Sequence, residues 1–279
     1  MKKILIIDLN GMFAQILKDK LSNAFEVYIL NLKIDDVCNK DYIVNKINEV
    51  KPYFVINCAE YGDIDNCEIN YELAKNINED LVEYISFACN KIDATLIQMS
   101  TNYVFDGSLN ISLSYTEDIQ SCPITIYGKT KLLGEINAAK SNRYYILRTS
   151  WIYGNDNDFV KKIINLFEEK VPVNVVCDQY GNPTSITTIV DILKELLKVK
   201  PKYGIYNIAN EGFTTWSEFA KDILKLSNLK MKIIAVTTDK QELTMKNTVN
   251  SKLSNSKLNS IGIYPKDYIV ALQEYINKL

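Results

Sequence analysis

The chain of 279 residues contains no histidine. That absence excludes a Ser-His-Asp triad, a histidine-ligated metal centre and a histidine general base. Arginine occurs only at Arg143 and Arg148, so paired recognition of phosphate oxygens by guanidinium groups is scarce. Chemistry in this protein must therefore come from Tyr, Lys, Ser, Thr, Asp, Glu or Cys side chains, or from a bound cofactor.

The six cysteines form no C-x-x-C pair, and without histidine they cannot complete a typical zinc site, so we expect no metal ion. Several lie in apolar runs, which indicates reduced core thiols and favours a cytoplasmic protein. The apolar run from Ile4 to Ile7 ends at Asp8 and is too short for a signal peptide. No segment is long and apolar enough to cross a bilayer, so a membrane partner is not expected.

Composition is that of an ordinary globular protein, with 47% hydrophobic and 24% charged residues. The formal net charge of −2 gives no reason to expect a nucleic acid or an anionic membrane as partner. The chain shows no tandem repeat, low-complexity tract or Gly/Ser linker. We therefore expect closely packed parts rather than domains on a flexible tether.

Strand-like and helical patterns alternate through the first half of the chain. Residues 3–8 read as a strand buried on both faces. Further strands are predicted at 25–30, 54–58, 95–100 and 144–149, and helices at 11–22, 42–50, 71–90 and around 129–139. This alternation predicts an α/β fold, a Rossmann-like doubly wound parallel sheet with right-handed crossovers.

The alternation loosens after residue 154. Helices are predicted at 159–169, 187–198, 215–226 and 265–279, and strands at 173–177, 204–208 and 232–236. We assign residues 1–152 to a dinucleotide-binding Rossmann domain, to which segments near 173–210 return. Residues 153–279 are assigned mainly to a smaller substrate-binding α/β portion.

The turn after the first strand is where an open α/β sheet binds a dinucleotide, because the helix N-terminus attracts the pyrophosphate. Against the pattern G-x-x-G-x-x-G, only Gly11 matches, while Ala14 is a mild change. Asp8 adds a repulsive carboxylate, although aspartate tolerates a positive φ better than most residues. The turn alone does not distinguish a cofactor site from an ordinary βα turn.

The second strand ends without the acidic residue that would bind a ribose 2′-hydroxyl, about 20 residues after the glycine turn. The residues there are Asn31, Leu32 and Lys33. Lys33 could face a 2′-phosphate, which slightly favours NADPH over NADH. A solvated loop lysine explains Lys33 equally well.

Tyr127 and Lys131 lie four residues apart on a predicted helix, and therefore on one face of it. A carbonyl oxygen that gains a hydride needs a proton, and an ammonium near a tyrosine favours the phenolate and eases proton transfer. Thr101 follows a predicted strand at the carboxyl edge of the sheet, where ligands bind. Alone, Y-x-x-x-K is weak in a chain with 18 tyrosines, and an amphipathic helix with an exposed lysine is the ordinary alternative.

An ordered series of motifs extends from the first strand to the last helix. In chain order they are Val55-Ile56-Asn57-Cys58-Ala59, residues 100–107, residues 127–135, residues 147–154, Asp178-Gln179-Tyr180-Gly181-Asn182-Pro183-Thr184, residues 204–207, Trp216-Ser217-Glu218-Phe219-Ala220 and Asn255-Ser256-Lys257-Leu258. Together they resemble the dTDP-4-dehydrorhamnose reductase family of the extended short-chain dehydrogenase/reductase superfamily. The order makes the set far more specific than any single motif.

The resemblance implies an oxidoreductase that uses NADPH or NADH to reduce the 4-keto group of a nucleotide-linked 6-deoxy-4-ketohexose, most directly dTDP-4-dehydrorhamnose to dTDP-rhamnose, in polysaccharide precursor biosynthesis. It implies that Thr101, Tyr127 and Lys131 are catalytic. The positions implied for cofactor binding are Gly11, Met12, Phe13, Asn31, Asp36, Val37, Cys58, Ala59, Glu60, Tyr127 and Lys131. Those implied for substrate binding are Asn102, Tyr103 and Trp151. Dimers are common in the family, so a homodimer is a further expectation.

The chain also departs from the family pattern. Asp8 stands in place of Gly, Asn102 in place of Asp, Cys58-Ala59-Glu60 in place of an Ala-rich run, and Asn247-Thr248 in place of Arg-Pro. Two other functions therefore stay open: a non-catalytic, reductase-like binding or regulatory subunit, and a reductase or epimerase of a different nucleotide sugar. Trp151 and Tyr103 could also be core aromatics, and Arg148 the partner of a core carboxylate.

Overall fold

The computed structural model describes residues 1–9, 12–155, 158–168, 172–240 and 248–279, with only the backbone at Met12 and Lys240. The chain divides by its internal contacts into two compact units. The first comprises Met1–Val104, Ser121–Arg148 and Lys200–Tyr206, and the second comprises Phe105–Gln120, Thr149–Val199 and Asn207–Leu279. The segment that returns to the first unit is thus Lys200–Tyr206. The functional assignment of the two parts stays a prediction.

The strands of the described residues are numbered in chain order. They are β1 Lys3–Asp8, β2 Glu26–Asn31, β3 Phe54–Asn57, β4 Thr95–Thr101, β5 Tyr144–Thr149, β6 Ile152–Tyr153, β7 Val173–Val176, β8 Tyr180–Gly181, β9 Thr184–Ser185, β10 Gly204–Asn207, β11 Thr214–Thr215 and β12 Ile233–Val236. The helices are α1 Met12–Leu21, α2 Lys40–Val50, α3 Ile64–Ile69, α4 Tyr71–Lys75, α5 Leu81–Ile92, α6 Ile126–Ala138, α7 Phe159–Glu168, α8 Ile186–Val199, α9 Trp216–Leu226, α10 Ser256–Ser260 and α11 Tyr268–Ile276. Single turns of 3₁₀ helix lie at Ile34–Asp36, Asn102–Val104 and Thr238–Lys240.

A six-stranded sheet forms the centre of the first unit, in the order β10-β5-β4-β3-β1-β2. β1 pairs in parallel with both β2 and β3, and β3 pairs in parallel with β4. β3 and β4 are buried along their whole length, as the apolar runs predict for strands covered on both faces. The strand order reverses between β1 and β3, which is the doubly wound arrangement. The predicted Rossmann-like fold is confirmed.

The predicted helix over residues 71–90 is interrupted in the structure. A π-helical turn, Asn76–Asp80, separates α4 from α5. The Asn78 side chain in this turn accepts a hydrogen bond from the Tyr61 amide at 3.0 Å and donates to Thr130 Oγ1 at 3.1 Å. These are contacts with residues distant in sequence, so helical periodicity could not reveal the interruption. Such turns are common next to functional sites.

The described residues of the second unit form three two-stranded sheets, β7 with β12, β6 with β9, and β8 with β11. An apolar cluster in this unit includes Phe219 of α9, Tyr153, Val160 and Leu272. The helix predicted over 265–279 is wrong at its start, because Asp267 caps α11 by accepting from the Ile269 amide at 2.8 Å. In the part of the chain that the structure describes, no helix combines the length and apolarity needed to cross a membrane.

Candidate active site

Three strand ends of the first unit lie side by side at one edge of the sheet. Asp8 ends β1, Thr101 ends β4, and the turn that begins at Cys58 follows β3 between them. The Cys58 amide donates to the Ile7 carbonyl at 2.8 Å, which holds that turn against β1. The carboxyl edge of a doubly wound sheet is where ligands bind, so this is the candidate site.

Helix α6 presents Tyr127 and Lys131 to this edge. Thr125 caps the helix, since its hydroxyl oxygen accepts a hydrogen bond from the Gly128 amide at 3.0 Å. Gly128 lets the helix approach the 3₁₀ turn after β4, because a Cβ at this position would overlap the Tyr103 carbonyl oxygen. The close approach brings Tyr127 beside Thr101. The glycine between tyrosine and lysine thus has a packing reason.

Lys131 is almost entirely buried, with 3% of its surface exposed. Its ammonium donates to the Met99 carbonyl at 2.8 Å and to Glu60 Oε2 at 3.0 Å. These two described partners use two of the three N–H donors of a lysine. The third can serve a ligand hydroxyl. The ordinary alternative, an exposed lysine on an amphipathic helix, is therefore wrong.

Tyr127 is also buried, and its ring packs edge-on against Tyr103 with 5.5 Å between centroids. Burial raises the pKa of the Tyr127 hydroxyl, and the Glu60 carboxylate raises it further by its charge and a hydrogen bond. A hydrogen bond with Thr101 acts in the opposite direction and lowers this pKa. The structure therefore brings the predicted trio of Thr101, Tyr127 and Lys131 together, with a carboxylate that the spacing argument did not include.

Asn102 and Tyr103 follow Thr101 in the 3₁₀ turn. Asn102 is 3% exposed, and its amide nitrogen has no hydrogen-bond partner among the described residues. A buried donor without an acceptor is costly, and such groups mark sites that a ligand completes. Burial raises the pKa of Tyr103 to about 12, so its hydroxyl stays protonated. Asn102 is thus an available donor next to Thr101.

Asp8 lies at the end of β1, and its carboxylate is directed to the start of α1. Its backbone is not among the non-glycine residues with positive φ, so the position does not require a glycine conformation. Its carboxylate accepts from the Leu9 amide at 2.8 Å and from the Ala14 amide at 3.1 Å. A carboxylate at the N-terminus of α1 is favoured by the helix dipole and satisfies an amide that lacks an intrahelical partner. Asp8 therefore caps the helix, and its effect on cofactor binding stays a prediction.

Most of the remaining predicted cofactor positions lie in α1, in β2 and in the segment that follows β2. Gly11 lies outside the described residues, and Met12 and Phe13 begin α1. Val37 is fully buried in the core of the first unit, so its side chain serves packing. Asn31 ends β2, and Asp36 accepts from the Lys33 amide at 2.8 Å. The contacts of these residues with an adenine or ribose stay predictions.

The residues at this edge fit a nicotinamide dinucleotide at one end better than at the other. At the sheet edge the remaining donor of Lys131 and the hydroxyl of Tyr127 suit a sugar hydroxyl and a carbonyl oxygen. At the start of α1 the Ala14 amide is already taken by Asp8, and the amides of Met12 and Phe13 belong to the same first turn, where a pyrophosphate would bind.

Trp151, a predicted substrate contact, belongs to the second unit. Its indole stacks on Trp216 with 3.7 Å between ring centroids and 10° between ring planes. Its backbone has a φ of 44°, which is strained for a residue other than glycine. A Cβ on Gly181 would overlap the indole, so Gly181 leaves room for it. Trp151 is half-buried rather than a core aromatic.

Sequence reasoning missed a buried network directly behind Thr101. Ser100 donates to Glu135 Oε1 at 2.6 Å, and Arg148 binds the same carboxylate through two N–H groups at 2.9 and 2.7 Å. The alternative that Arg148 pairs with a core carboxylate is confirmed. Glu135 lies four residues after Lys131 on α6, so helical spacing could have revealed its position near the site.

Similarity to known proteins extends along the whole chain. A family model described as the RmlD substrate binding domain matches residues 1–279. The chain belongs to this family. The resemblance to dTDP-4-dehydrorhamnose reductases that the motifs indicated is confirmed.

Two curated relatives illustrate the similarity. The spore coat polysaccharide biosynthesis protein SpsK of Bacillus subtilis (strain 168) is 32% identical over 281 residues, which cover 100% of this chain and 98% of the relative. The dTDP-4-dehydrorhamnose reductase of Aggregatibacter actinomycetemcomitans is 32% identical over 290 residues, with 98% of each chain covered. The similarity therefore extends over both units of the structure.

Solved structures of similar proteins have the same fold. The dTDP-4-dehydrorhamnose reductase of Bacillus anthracis str. Ames in complex with NADP superposes with a TM-score of 0.92 at 29% identity, covering 99% of this chain and 98% of that one. The Clostridium acetobutylicum ATCC 824 orthologue also gives 0.92, at 34% identity, with 99% of each chain covered.

Proposed function

We propose that this protein is an NAD(P)H-dependent reductase of the 4-keto group of a nucleotide-linked 6-deoxy-4-ketohexose. The substrate we propose is dTDP-4-dehydrorhamnose and the product dTDP-rhamnose, a precursor for polysaccharides. The observation that carries the proposal is the buried set of Thr101, Tyr127 and Lys131 at the carboxyl edge of a doubly wound sheet. The names of the curated relatives and the NADP complex of a similar reductase support it.

The chemistry divides between cofactor and protein. When bound, the reduced nicotinamide supplies the hydride that converts the C4 carbonyl to an alcohol. Tyr127 donates its phenolic proton to the carbonyl oxygen as negative charge develops there. Lys131 holds a cofactor ribose hydroxyl with its remaining N–H, and its positive charge stabilises the phenolate that Tyr127 becomes. The hydroxyl of Thr101 orients the carbonyl, and Asn102 donates its buried amide N–H to the substrate.

We assign the further contacts by position. The proposed cofactor contacts are Gly11, Met12, Phe13, Asn31, Asp36, Val37, Cys58, Ala59 and Glu60, in addition to Tyr127 and Lys131. The proposed substrate contacts are Asn102, Tyr103 and Trp151. A cytoplasmic location and a homodimer belong to the proposal as well, supported by six free cysteines and by the family respectively.

The direct test is turnover of dTDP-4-dehydrorhamnose, followed by the loss of NADPH absorbance. Tyr127→Phe removes the proton donor and keeps the ring, so we expect kcat to fall by about 10²–10⁴-fold while NADPH binding is retained. Tyr145→Phe is a matched control, because Tyr145 is buried and its hydroxyl donates to the Pro201 carbonyl, away from the sheet edge. Unchanged turnover in Tyr127→Phe would refute the mechanism.

One observation motivates the alternative of a non-catalytic subunit. Asp8 already occupies a first-turn amide of α1, where a pyrophosphate would bind. A non-catalytic subunit would show no thermal shift with NADPH or NADH, whereas binding at a 1,000-fold excess over Kd should stabilise the protein by ~4 kcal/mol. A panel of dTDP-, CDP-, GDP- and UDP-linked ketosugars separates the proposed substrate from a different nucleotide sugar, the third function left open by the sequence.

A further inference from the structure

A carboxylate lies against both members of the tyrosine–lysine pair. Glu60 Oε2 is 3.0 Å from Lys131 Nζ, and the charge of the same side chain raises the pKa of the Tyr127 hydroxyl. The Lys131 side chain is 2% exposed and the Glu60 side chain 35% exposed. Glu60 is thus the more exposed partner of an ion pair whose other partner is buried.

The position of Glu60 is fixed by the backbone on both sides of it. On one side the Ala59 amide donates to Asn57 Oδ1 at 3.2 Å. On the other side the Tyr61 amide donates to Asn78 Oδ1 at 3.0 Å, and Asn78 Nδ2 donates to the Tyr61 carbonyl at 3.2 Å. Glu60 is therefore held between two anchored neighbours rather than placed on a mobile loop tip.

Gly62, two residues after Glu60, leaves space for the Glu60 carboxylate. A Cβ on Gly62 would overlap Glu60 Oε1, so only glycine leaves the carboxylate oxygen where it is. Asn78, which holds the loop that carries Glu60, lies in the π-helical turn between α4 and α5. Loop anchor, glycine and ion pair together direct Glu60 toward the site.

The other groups around Tyr127 do not supply a competing charge. The titratable residues packed in the apolar cluster around Tyr127 are Tyr103 from the turn after β4, Cys67 from α3 and Tyr61. Desolvation, followed by the charge of Glu60, raises the pKa of Cys67 to about 12, and burial raises that of Tyr103 to about 12, so both stay neutral near neutral pH. The charged group that raises the pKa of Tyr127 is therefore Glu60, and the Lys131 ammonium lies on the next turn of the same helix.

We propose that Glu60 is a positioning residue for proton transfer, which holds the ammonium of Lys131 by an ion pair and places its negative charge beside the Tyr127 hydroxyl. Its relevance to turnover rests on the proposed reductase function, whereas its effect on Tyr127 does not. A carboxylate beside a phenol disfavours the phenolate, so Glu60 keeps Tyr127 in the protonated form that a reductase requires as proton donor. Glu60 and Lys131 therefore act on Tyr127 in opposite directions.

The sign of the effect follows from this balance. Because the pKa of Tyr127 is raised, its hydroxyl stays protonated as the pH rises. The phenolic proton is lost only when the pH passes that pKa. Glu60→Gln removes the negative charge and keeps the shape, so Tyr127 should ionise at a lower pH. Because Glu60 is partly exposed, its charge is screened, and we expect a downward shift of about one pH unit.

Fluorine NMR of the cofactor-free protein tests the charge effect directly. Incorporated fluorotyrosine lowers phenol pKa values into the range where a folded protein can be titrated, and the Tyr127 resonance is identified by its loss in Tyr127→Phe. The matched control is Glu68→Gln, which removes an exposed carboxylate bonded to the Ile126 amide at 2.7 Å. We expect Glu60→Gln to lower the titration midpoint of Tyr127 by about one pH unit, and Glu68→Gln to leave it within a few tenths.

A second readout and a conservative variant complete the design. In Glu60→Gln the alkaline limb of the pH profile of kcat for reduction should shift to lower pH by the same amount. Glu60→Asp keeps the negative charge, so its alkaline limb should lie between those of Glu60→Gln and the unaltered protein. An unchanged Tyr127 titration in Glu60→Gln, or equal shifts in Glu60→Gln and Glu68→Gln, overturns the proposal. Since the titration uses neither substrate nor cofactor, it remains valid if the proposed substrate is wrong.

Discussion

The buried pair of Arg148 and Glu135 allows a quantitative test of what supports the candidate site. Both residues are nearly inaccessible, at 2% and 3% exposed, and two N–H groups of the arginine bind the two carboxylate oxygens. Ser100, the residue before Thr101, donates to the same carboxylate at 2.6 Å. Glu135→Ala therefore leaves a buried guanidinium without its carboxylate and a buried hydroxyl without its acceptor.

The expected loss is large relative to total stability. Removing one partner of a buried ion pair costs about 3–5 kcal/mol, because the remaining charge stays desolvated without compensation. A folded domain has only about 5–15 kcal/mol in total. We therefore expect Glu135→Ala to lower the free energy of unfolding by about 3–5 kcal/mol. In contrast, the double variant Glu135→Leu/Arg148→Met removes both charges and should recover much of that loss.

Urea denaturation followed by far-ultraviolet circular dichroism measures this change. Both tryptophans lie in the second unit, so their fluorescence reports that unit separately and shows whether the two units unfold together. Glu83→Ala is the control, because Glu83 pairs with Lys140 at 3.5 Å with both side chains about half exposed, and an exposed pair contributes less than about 1 kcal/mol. A loss below about 1 kcal/mol in Glu135→Ala would refute the reasoning.

Two further predictions concern the second unit and the thiols. Gly181→Ala should force the Trp151 indole from its stack on Trp216, which would weaken the near-ultraviolet circular dichroism of the two indoles and destabilise the protein by about 1–3 kcal/mol; an unaltered spectrum would contradict the stack. At neutral pH a thiol reagent should label the exposed cysteines well before those whose pKa burial raises to about 12, because the thiolate is the reactive form. The exposed thiols are Cys38 and Cys122, and the protected ones are Cys67 and Cys89. Mass spectrometry of digests locates the label, and equal labelling of all four in the native protein would contradict the described burial.

Secondary structure near the sheet could be predicted because it depends on local patterns. The apolar runs of β1 and β3 fill strands that are buried on both faces, as their patterns predicted. Two predicted helices differ in the structure, one through the local cap Asp267 and one at a turn with distant contacts. Asn78 lies in the π-helical turn between α4 and α5 and bonds to Tyr61 and Thr130 across the fold, contacts that the continuous periodicity of the segment did not reveal.

The candidate site shows the same division. Spacing on a helix placed Tyr127 and Lys131 on one face, and the order of the motifs associated them with Thr101. The sequence could not show that Glu60 would pair with Lys131, since 71 residues separate them. It also could not show that the Asp8 carboxylate would point toward the amides of α1. From the sequence, a carboxylate in that turn could either cap the helix or repel a pyrophosphate.

The sequence by itself determined the α/β class, the parallel strands and the placement of Tyr127 and Lys131 on one helix face, because these follow from apolar runs and helical period. Tertiary structure alone decided the charge balance around Tyr127, the role of Asp8 as a cap and the burial of the Arg148–Glu135 pair. The physical reason is that hydrogen bonds and ion pairs act over a few ångströms. Their partners are chosen by which strand ends and helix faces meet, and that is set by packing across the whole chain.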